Sequence, residues 1–236
     1  MRLRRERSAI VSYGVKMLSA GLTTGSGGNL SIFRRDASAI AVTPSGVEYP
    51  SLKPSDVVLV DPQGNLQEEG SWTASSELPF HLSIYEARPD VNAVVHTHSP
   101  WATTVACLGW ELPAVHYLVG FAGKKVPLAP YATFGTPQLA ENAVRALGGG
   151  NAVLLANHGL IAVGPNLGRA FAVAEEIELV ARIYLQAKAA GEPVILPDEE
   201  MDRVVAKFHT YGQPRATAAA PGSARAEPRR RRGERG

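Results

Sequence analysis

A chain of 236 residues, 45% hydrophobic and 19% charged, has apolar material for one large core and lacks the composition of a disordered protein. The net charge is only +2, and much of the basic excess sits in the terminal stretch PRRRRGERG, so the body does not read as nucleic-acid-binding. One cysteine, Cys107, excludes an internal disulfide, no apolar run spans a bilayer, and the basic start MRLRRERSAIVSYGVKML lacks a signal peptide's apolar segment, so a cytoplasmic location is expected.

The apolar positions Ile10, Val11, Val15, Met17 and Leu18 predict a helix over 6–20, stopped by Gly21. GSGGNLSIF reads as a glycine-rich turn feeding a strand, and ASAIAVTPSG as a second strand ending in a Pro-Ser-Gly turn. VVLVDPQGN is a third strand followed by a hairpin turn. SSELPFHLSIYEARPD predicts a helix capped by Ser75 or Ser76. NAVVHTHSP is a buried strand with two histidines at its C-terminal end, and residues 100–108 suit a helix. VPLAPYATFGTPQ supplies a strand, a loop and the start of a helix over 137–147, which ends at the glycines 148–150. NAVLLANHGLIAVG holds two strands across a polar break. Residues 167–190 form the longest helix, and DEEMDRVVAKFHTYG the last. One domain over 1–212 and a disordered Arg/Ala/Pro-rich tail over 213–236 are expected. Helices alternate with strands, yet hairpin turns join several strands. The expected fold is therefore α/β: a single three-layer α/β/α domain around a mixed, mainly antiparallel sheet.

His96 and His98 stand two apart on a predicted strand, so both imidazoles face one side and can reach one metal. His158, in the NHG break between two strands, is a third candidate. Three neutral imidazoles would leave the open fourth position of a catalytic zinc site. The same spacing also fits hydrogen-bonded histidines at a strand end. Glu77 of SSE is either a first-turn carboxylate complementing the helix dipole or a base beside a metal. Ser75 and Ser76, with GSGGN (25–29) and TPSG (43–46), are small-residue turns that could cradle an anion or simply turn the chain. His81 and His116 read as structural or supporting residues, and Cys107 as a small apolar helix residue.

Taken together, GSGGNLS, TPSG, SSELPFH, RPDVNAVVHTHSPWATTVA, PAVHYLVG, VPLAPYATFGT, NHGLIAVG and KFHTYG resemble the class II aldolase and adducin family, from about residue 5 to Tyr211. Within it, the pattern is most similar to aldolases of the L-fuculose 1-phosphate type. The resemblance implies a zinc-dependent lyase that cleaves a ketose 1-phosphate, L-fuculose 1-phosphate or a related deoxy-ketose 1-phosphate, into dihydroxyacetone phosphate and an aldehyde. It implies one Zn2+ per subunit, or another divalent ion, held by His96, His98, His158 and, without substrate, Glu77, which is also the acid/base. It implies a phosphate site of Ser26, Asn29, Ser45, Gly46, Ser75 and Ser76. Tyr117 would reach a neighbouring subunit's site to protonate the aldehyde oxygen, with Phe134 and Tyr211 bordering the aldehyde end. A homotetramer with sites at its interfaces is implied, with no membrane and no nucleic-acid partner. The alternatives are a pentulose-5-phosphate 4-epimerase of the same fold, against which the absence of the epimerases' acidic insert speaks, and a non-catalytic adducin-like module, which would lose the histidines.

Overall fold

The computed structural model describes residues 1–210; Tyr211 and the Arg-rich tail lie outside the described residues. Seven strands form one sheet: β1 (Asn29–Arg34), β2 (Ala39–Val42), β3 (Val58–Val60), β4 (Ala93–Thr97), β5 (Leu128–Ala129), β6 (Ala152–Leu155) and β7 (Gly159–Gly164). Their order is β3-β2-β1-β4-β7-β6-β5, and every neighbouring pair is antiparallel except β5 with β6. The expected three-layer fold around a mixed, mainly antiparallel sheet is the one observed.

Strand alternation explains the layers. Leu30, Ala41, Leu59, Val95, Leu160 and Ala162 point to one face. There they pack with α1 (Arg4–Ser19), α3 (Pro100–Cys107), α5 (Leu167–Ala190) and Met201 of α6 (Asp198–Thr210). Phe33, Ile40, Val42, Val94, Val153, Ile161 and Val163 point the other way, against α2 (Leu78–Ala87) and α4 (Pro137–Leu147). The strands are therefore apolar on both faces, as a sheet covered twice requires. Among the described residues no helix is long and apolar enough to cross a membrane.

Two expectations need correction. Helix α2 does not begin at a capping serine. Glu77 holds the cap position, its side chain caps nothing, and Pro79 lies in the first turn. Ser75 instead closes the preceding turn: its carbonyl accepts from Leu78 N at 3.0 Å and its hydroxyl from Glu77 N at 3.3 Å. Cys107, expected as a small apolar helix residue, is exposed on the last turn of α3.

Candidate active site

The site grows from the middle of the sheet. On β4, His96 pairs across to Asn29 of β1 and to Ile161 of β7, and it is fully buried. Its Nδ1 lies 3.0 Å from the Leu160 carbonyl. Only an N–H can bond there, so in the neutral ring Nε2 keeps a bare lone pair. His98 is not on the strand as expected. β4 ends at Thr97, because Ser99 and Pro100 turn the chain into α3. Its imidazole nevertheless folds back, with Nε2 3.1 Å from that of His96. His158 sits in the tight turn between β6 and β7. That turn needs Asn157 at φ 53°, a left-handed conformation asparagine tolerates better than most residues. The His158 ring centre lies 4.8 Å from that of His96 and 5.3 Å from that of His98.

Glu77 completes the cluster from the start of α2. Its Oε2 lies 3.2 Å from His96 Nε2 and its Oε1 3.2 Å from His158 Nε2. Burial alone would raise this carboxyl, but the imidazoles of His96 and His158 outweigh it and hold the group below the usual carboxylate range. Burial, together with His96 and His158, lowers His98 from 6.5 to about 4, so its ring is neutral near pH 7. Neutral imidazole and ionised carboxylate are the forms that ligate a metal.

Two observations test whether a divalent ion fits. Glu77 Oε1 is buried and makes no hydrogen bond, its approach to His158 lacking the required geometry. The ligand atoms of Glu77, His96, His98 and His158 all lie within 4.8 Å of one another. Donors held at ~2.0 Å around a tetrahedral ion stand ~3.3 Å apart, close to the 3.1 and 3.2 Å separations found here. The residues fit.

Glycines let the loops approach this closely. Gly28 has φ 68°, and a Cβ there would stand 2.5 Å from the His96 carbonyl oxygen. At Gly159 a Cβ would meet the Thr97 carbonyl.

A cleft of about 350 Å³ opens over the cluster. Ser26, Asn29, Ser45, Gly46, Ser75 and Ser76 line it together with Glu77, His98 and His158, and Phe134 stands in its wall. The structure thus brings the anion-type turns and the histidines into one cavity. Asn29 turns its side chain inward, donating from Nδ2 to Glu77 Oε2 at 2.9 Å. Tyr117 does not line the cleft. It lies half exposed in a 3-10 turn (Tyr117–Phe121), stacked 6.2 Å from the ring of Phe208. Tyr211 lies outside the described residues. Sequence reasoning missed Tyr131 and Asn157, which also line the cleft. Asn157 had a signal, an asparagine in a two-strand turn beside a histidine; Tyr131 had none.

The profile of the Class II Aldolase and Adducin N-terminal domain matches residues 8–185. The 5-deoxy-D-ribulose 1-phosphate aldolase of Bacillus thuringiensis is 55% identical over 213 residues, covering 90% of this chain and 100% of that protein. The L-fuculose phosphate aldolase of Escherichia coli is 43% identical, covering 86% of this chain and 94% of its own length. A solved structure of an L-fuculose 1-phosphate aldolase superposes with a TM-score of 0.85 at 47% identity, covering 87% of this chain and 96% of its own. The chain belongs to the class II aldolase and adducin family, and it is an enzyme of the metal-dependent aldehyde-lyase type.

Proposed function

We propose that this aldolase reversibly cleaves a ketose 1-phosphate, of the L-fuculose or 5-deoxy-pentulose 1-phosphate class, into dihydroxyacetone phosphate and an aldehyde. The observation that carries this reading is one cavity with Glu77 and three histidines at its floor and the serine and glycine turns around its wall. Zinc, the metal proposed for His96, His98, His158 and Glu77, supplies Lewis-acid stabilisation of the negative charge left by carbon–carbon cleavage.

The chain's own groups do the rest. No lysine or arginine lines the cleft among the described residues. The phosphate is accordingly assigned to hydroxyls and backbone N–H groups of Ser26, Asn29, Ser45, Gly46, Ser75 and Ser76, beside the N-terminus of α2. Holding the phosphate fixes the ketone end of the substrate and leaves the aldehyde end free to vary. In cleavage Glu77 takes up a proton from solvent and passes it to the C3 carbon of the enediolate; in the synthetic direction the carboxylate removes that proton and returns it to solvent. Tyr117 has no partner role within its own cleft and half its surface is exposed. We assign it to a neighbouring subunit's site, where its O–H protonates the aldehyde oxygen during synthesis. Phe134 and Tyr211 are assigned to the aldehyde border. Tyr131 and Phe134, both exposed where they line the cleft, are surfaces that a neighbouring subunit would cover in the homotetramer with interfacial sites that this reading includes. A reducing, cytoplasmic setting fits the single, exposed cysteine.

The test is cleavage of synthetic L-fuculose 1-phosphate and 5-deoxy-ribulose 1-phosphate, with dihydroxyacetone phosphate detected by enzymatic reduction. The wild-type chain should release it from at least one substrate, and Glu77→Gln should lose activity by a factor of about 10²–10⁴. Release of no dihydroxyacetone phosphate, with 4-epimerisation of a pentulose 5-phosphate instead, would replace this reading.

A further inference from the structure

A line of buried polar side chains leads from Glu77 and Asn29, which line the cleft, to His81, Ser31 and Tyr85, which do not and to which the reaction assigns no role. Tyr85 Oη lies 2.7 Å from Ser31 Oγ, and Ser31 Oγ lies 2.6 Å from His81 Nδ1. His81 Nε2 lies 2.6 Å from Asn29 Oδ1, and Asn29 Nδ2 lies 2.9 Å from Glu77 Oε2. His81 and Ser31 are fully buried, and Asn29 and Tyr85 are 3% exposed.

The line follows from matched periods. Glu77, His81 and Tyr85 recur every four residues along α2, a rise of ~6 Å per step. Asn29 and Ser31 recur every two along β1, a step of ~6.6 Å on one face. The two spacings agree well enough for helix and strand side chains to alternate. The Phe33 and Tyr85 rings, 5.2 Å apart, continue the same zipper.

With Glu77 ionised and His81 neutral, one assignment of the protons satisfies every group. The ionised carboxylate of Glu77 can only accept, so the amide of Asn29 must present its NH2 to it. Asn29 Oδ1 then faces His81, and it too can only accept. His81 must therefore carry its proton on Nε2. Its Nδ1 is left as an acceptor, which Ser31 O–H fills, and Ser31 Oγ in turn accepts from Tyr85 O–H. Burial keeps the members in the required states: it lowers His81 from 6.5 to about 3, so the ring is neutral, and raises the Tyr85 phenol above its usual range.

We propose that Tyr85, Ser31, His81 and Asn29 form a one-way donor relay ending on Glu77, and that His81 is a positioning residue which, through the Asn29 amide, fixes the orientation of the proton-transferring carboxylate. Each bond polarises the next toward the carboxylate. The relay also prevents an alternative: a flipped Asn29 would set its carbonyl oxygen against the anion. This inference rests on Glu77 as the proton-transferring group.

Neutron diffraction from deuterium-exchanged, metal-loaded crystals reads the relay directly. Deuterium on His81 Nε2 and not on Nδ1, with the Asn29 ND2 group facing Glu77, is expected. Deuterium on Nδ1, or a flipped amide, overturns the proposal whatever the enzyme's activity proves to be. Kinetics then test the positioning role. The readout is the exchange of the C3 proton of dihydroxyacetone phosphate with solvent, which needs Glu77 but no aldehyde. His81→Phe keeps a ring against Phe80 but removes both nitrogens. It should lower the exchange rate about 10–100-fold, with KM within about threefold and metal content unchanged. His81→Gln, which retains a donor for Asn29, should recover most of the loss. Ser31→Ala serves as the second variant if His81→Phe does not fold, and should lower exchange in the same way. Unaltered exchange in the folded variants, or loss of metal in step with the rate, would overturn the positioning role. If Glu77→Gln itself exchanged normally, the proposed function would fail instead, with the neutron result for His81 left standing.

Discussion

Gly28→Ala and Gly21→Ala form a matched pair. Gly28 has φ 68° and Gly21 has φ 69°, so an alanine at either site meets nearly the same left-handed penalty, on the order of 1–2 kcal/mol. For a chain of this size that corresponds to a fall in Tm of roughly 2–8 °C. The surroundings differ. At Gly21 nothing lies within 4 Å of the added carbon, whereas at Gly28 it would stand 2.5 Å from the backbone oxygen of His96. A backbone atom cannot swing aside as a side-chain tip can. Relief at Gly28 must move either the turn that lines the cleft or the strand end that carries His96 and leads into His98. Gly28→Ala should therefore lose the extra stability that relief costs and weaken metal binding at least about tenfold, while Gly21→Ala shows the conformational penalty alone with full metal content. The assays are thermal unfolding of the metal-free and metal-loaded proteins and competitive metal titration with a chromophoric chelator. Equal metal affinity in the two variants would refute the close-approach argument.

His98→Ala should lose bound metal and cleavage together, read by elemental analysis and turnover; unchanged turnover would remove His98 from the ligand set. Tyr117→Phe should reduce cleavage at constant metal content, and mixing it with an inactive Glu77→Gln variant should restore part of the activity if the two residues act across an interface. Acid should weaken the metal-free fold. His81 is held at about 3 in the fold against 6.5 ordinarily, so the unfolded chain binds its proton first. The associated stability is present above pH 6.5 and declines as pH falls toward 3, at about 1.4 kcal/mol per pH unit. His98, lowered to about 4, adds a like contribution in the metal-free protein, so urea unfolding at pH 7, 6 and 5 should show the two together and His81→Gln should remove the His81 share of the slope. The Glu77 contribution, with a depressed pKa, is lost only below the ordinary carboxylate value of 4.5, and so does not enter measurements between pH 7 and 5.

How much of this was legible depended on whether the cause was local. The fold was legible because apolar runs such as Ala93–Val95 and Ala152–Leu155, and hairpin turns such as that after Val60, declare a doubly covered, mostly antiparallel sheet. His96, His98 and His158 were legible as a group, but the place of His98 was not. The strand yields at Thr97 to a helix start that is set by Ser99 and Pro100. Glu77 looked like a dipole-complementing residue in the first turn. The histidines draw its carboxylate away from the helix end, and that competition appears only once the α2 start and the β4 end are neighbours. The spacings Glu77-His81-Tyr85 and Asn29-Ser31 were present in the sequence as well. They became meaningful only with the knowledge that α2 lies over β1, a tertiary fact that neither period contains. Tyr131 carries no pattern at all.

The ligand set comes from three separated stretches: the start of α2, the end of β4 and the β6–β7 turn. An ion held by all of them would act as a cross-link, closing loops of about 20 and about 60 residues, and by the chain-entropy estimate for a disulfide each closure would be worth on the order of 3–4 kcal/mol against the denatured ensemble. A chain with no disulfide of its own would thereby gain a reversible staple at the centre of its sheet. Metal supply would then govern how long the folded protein survives proteolysis as well as how fast it turns over.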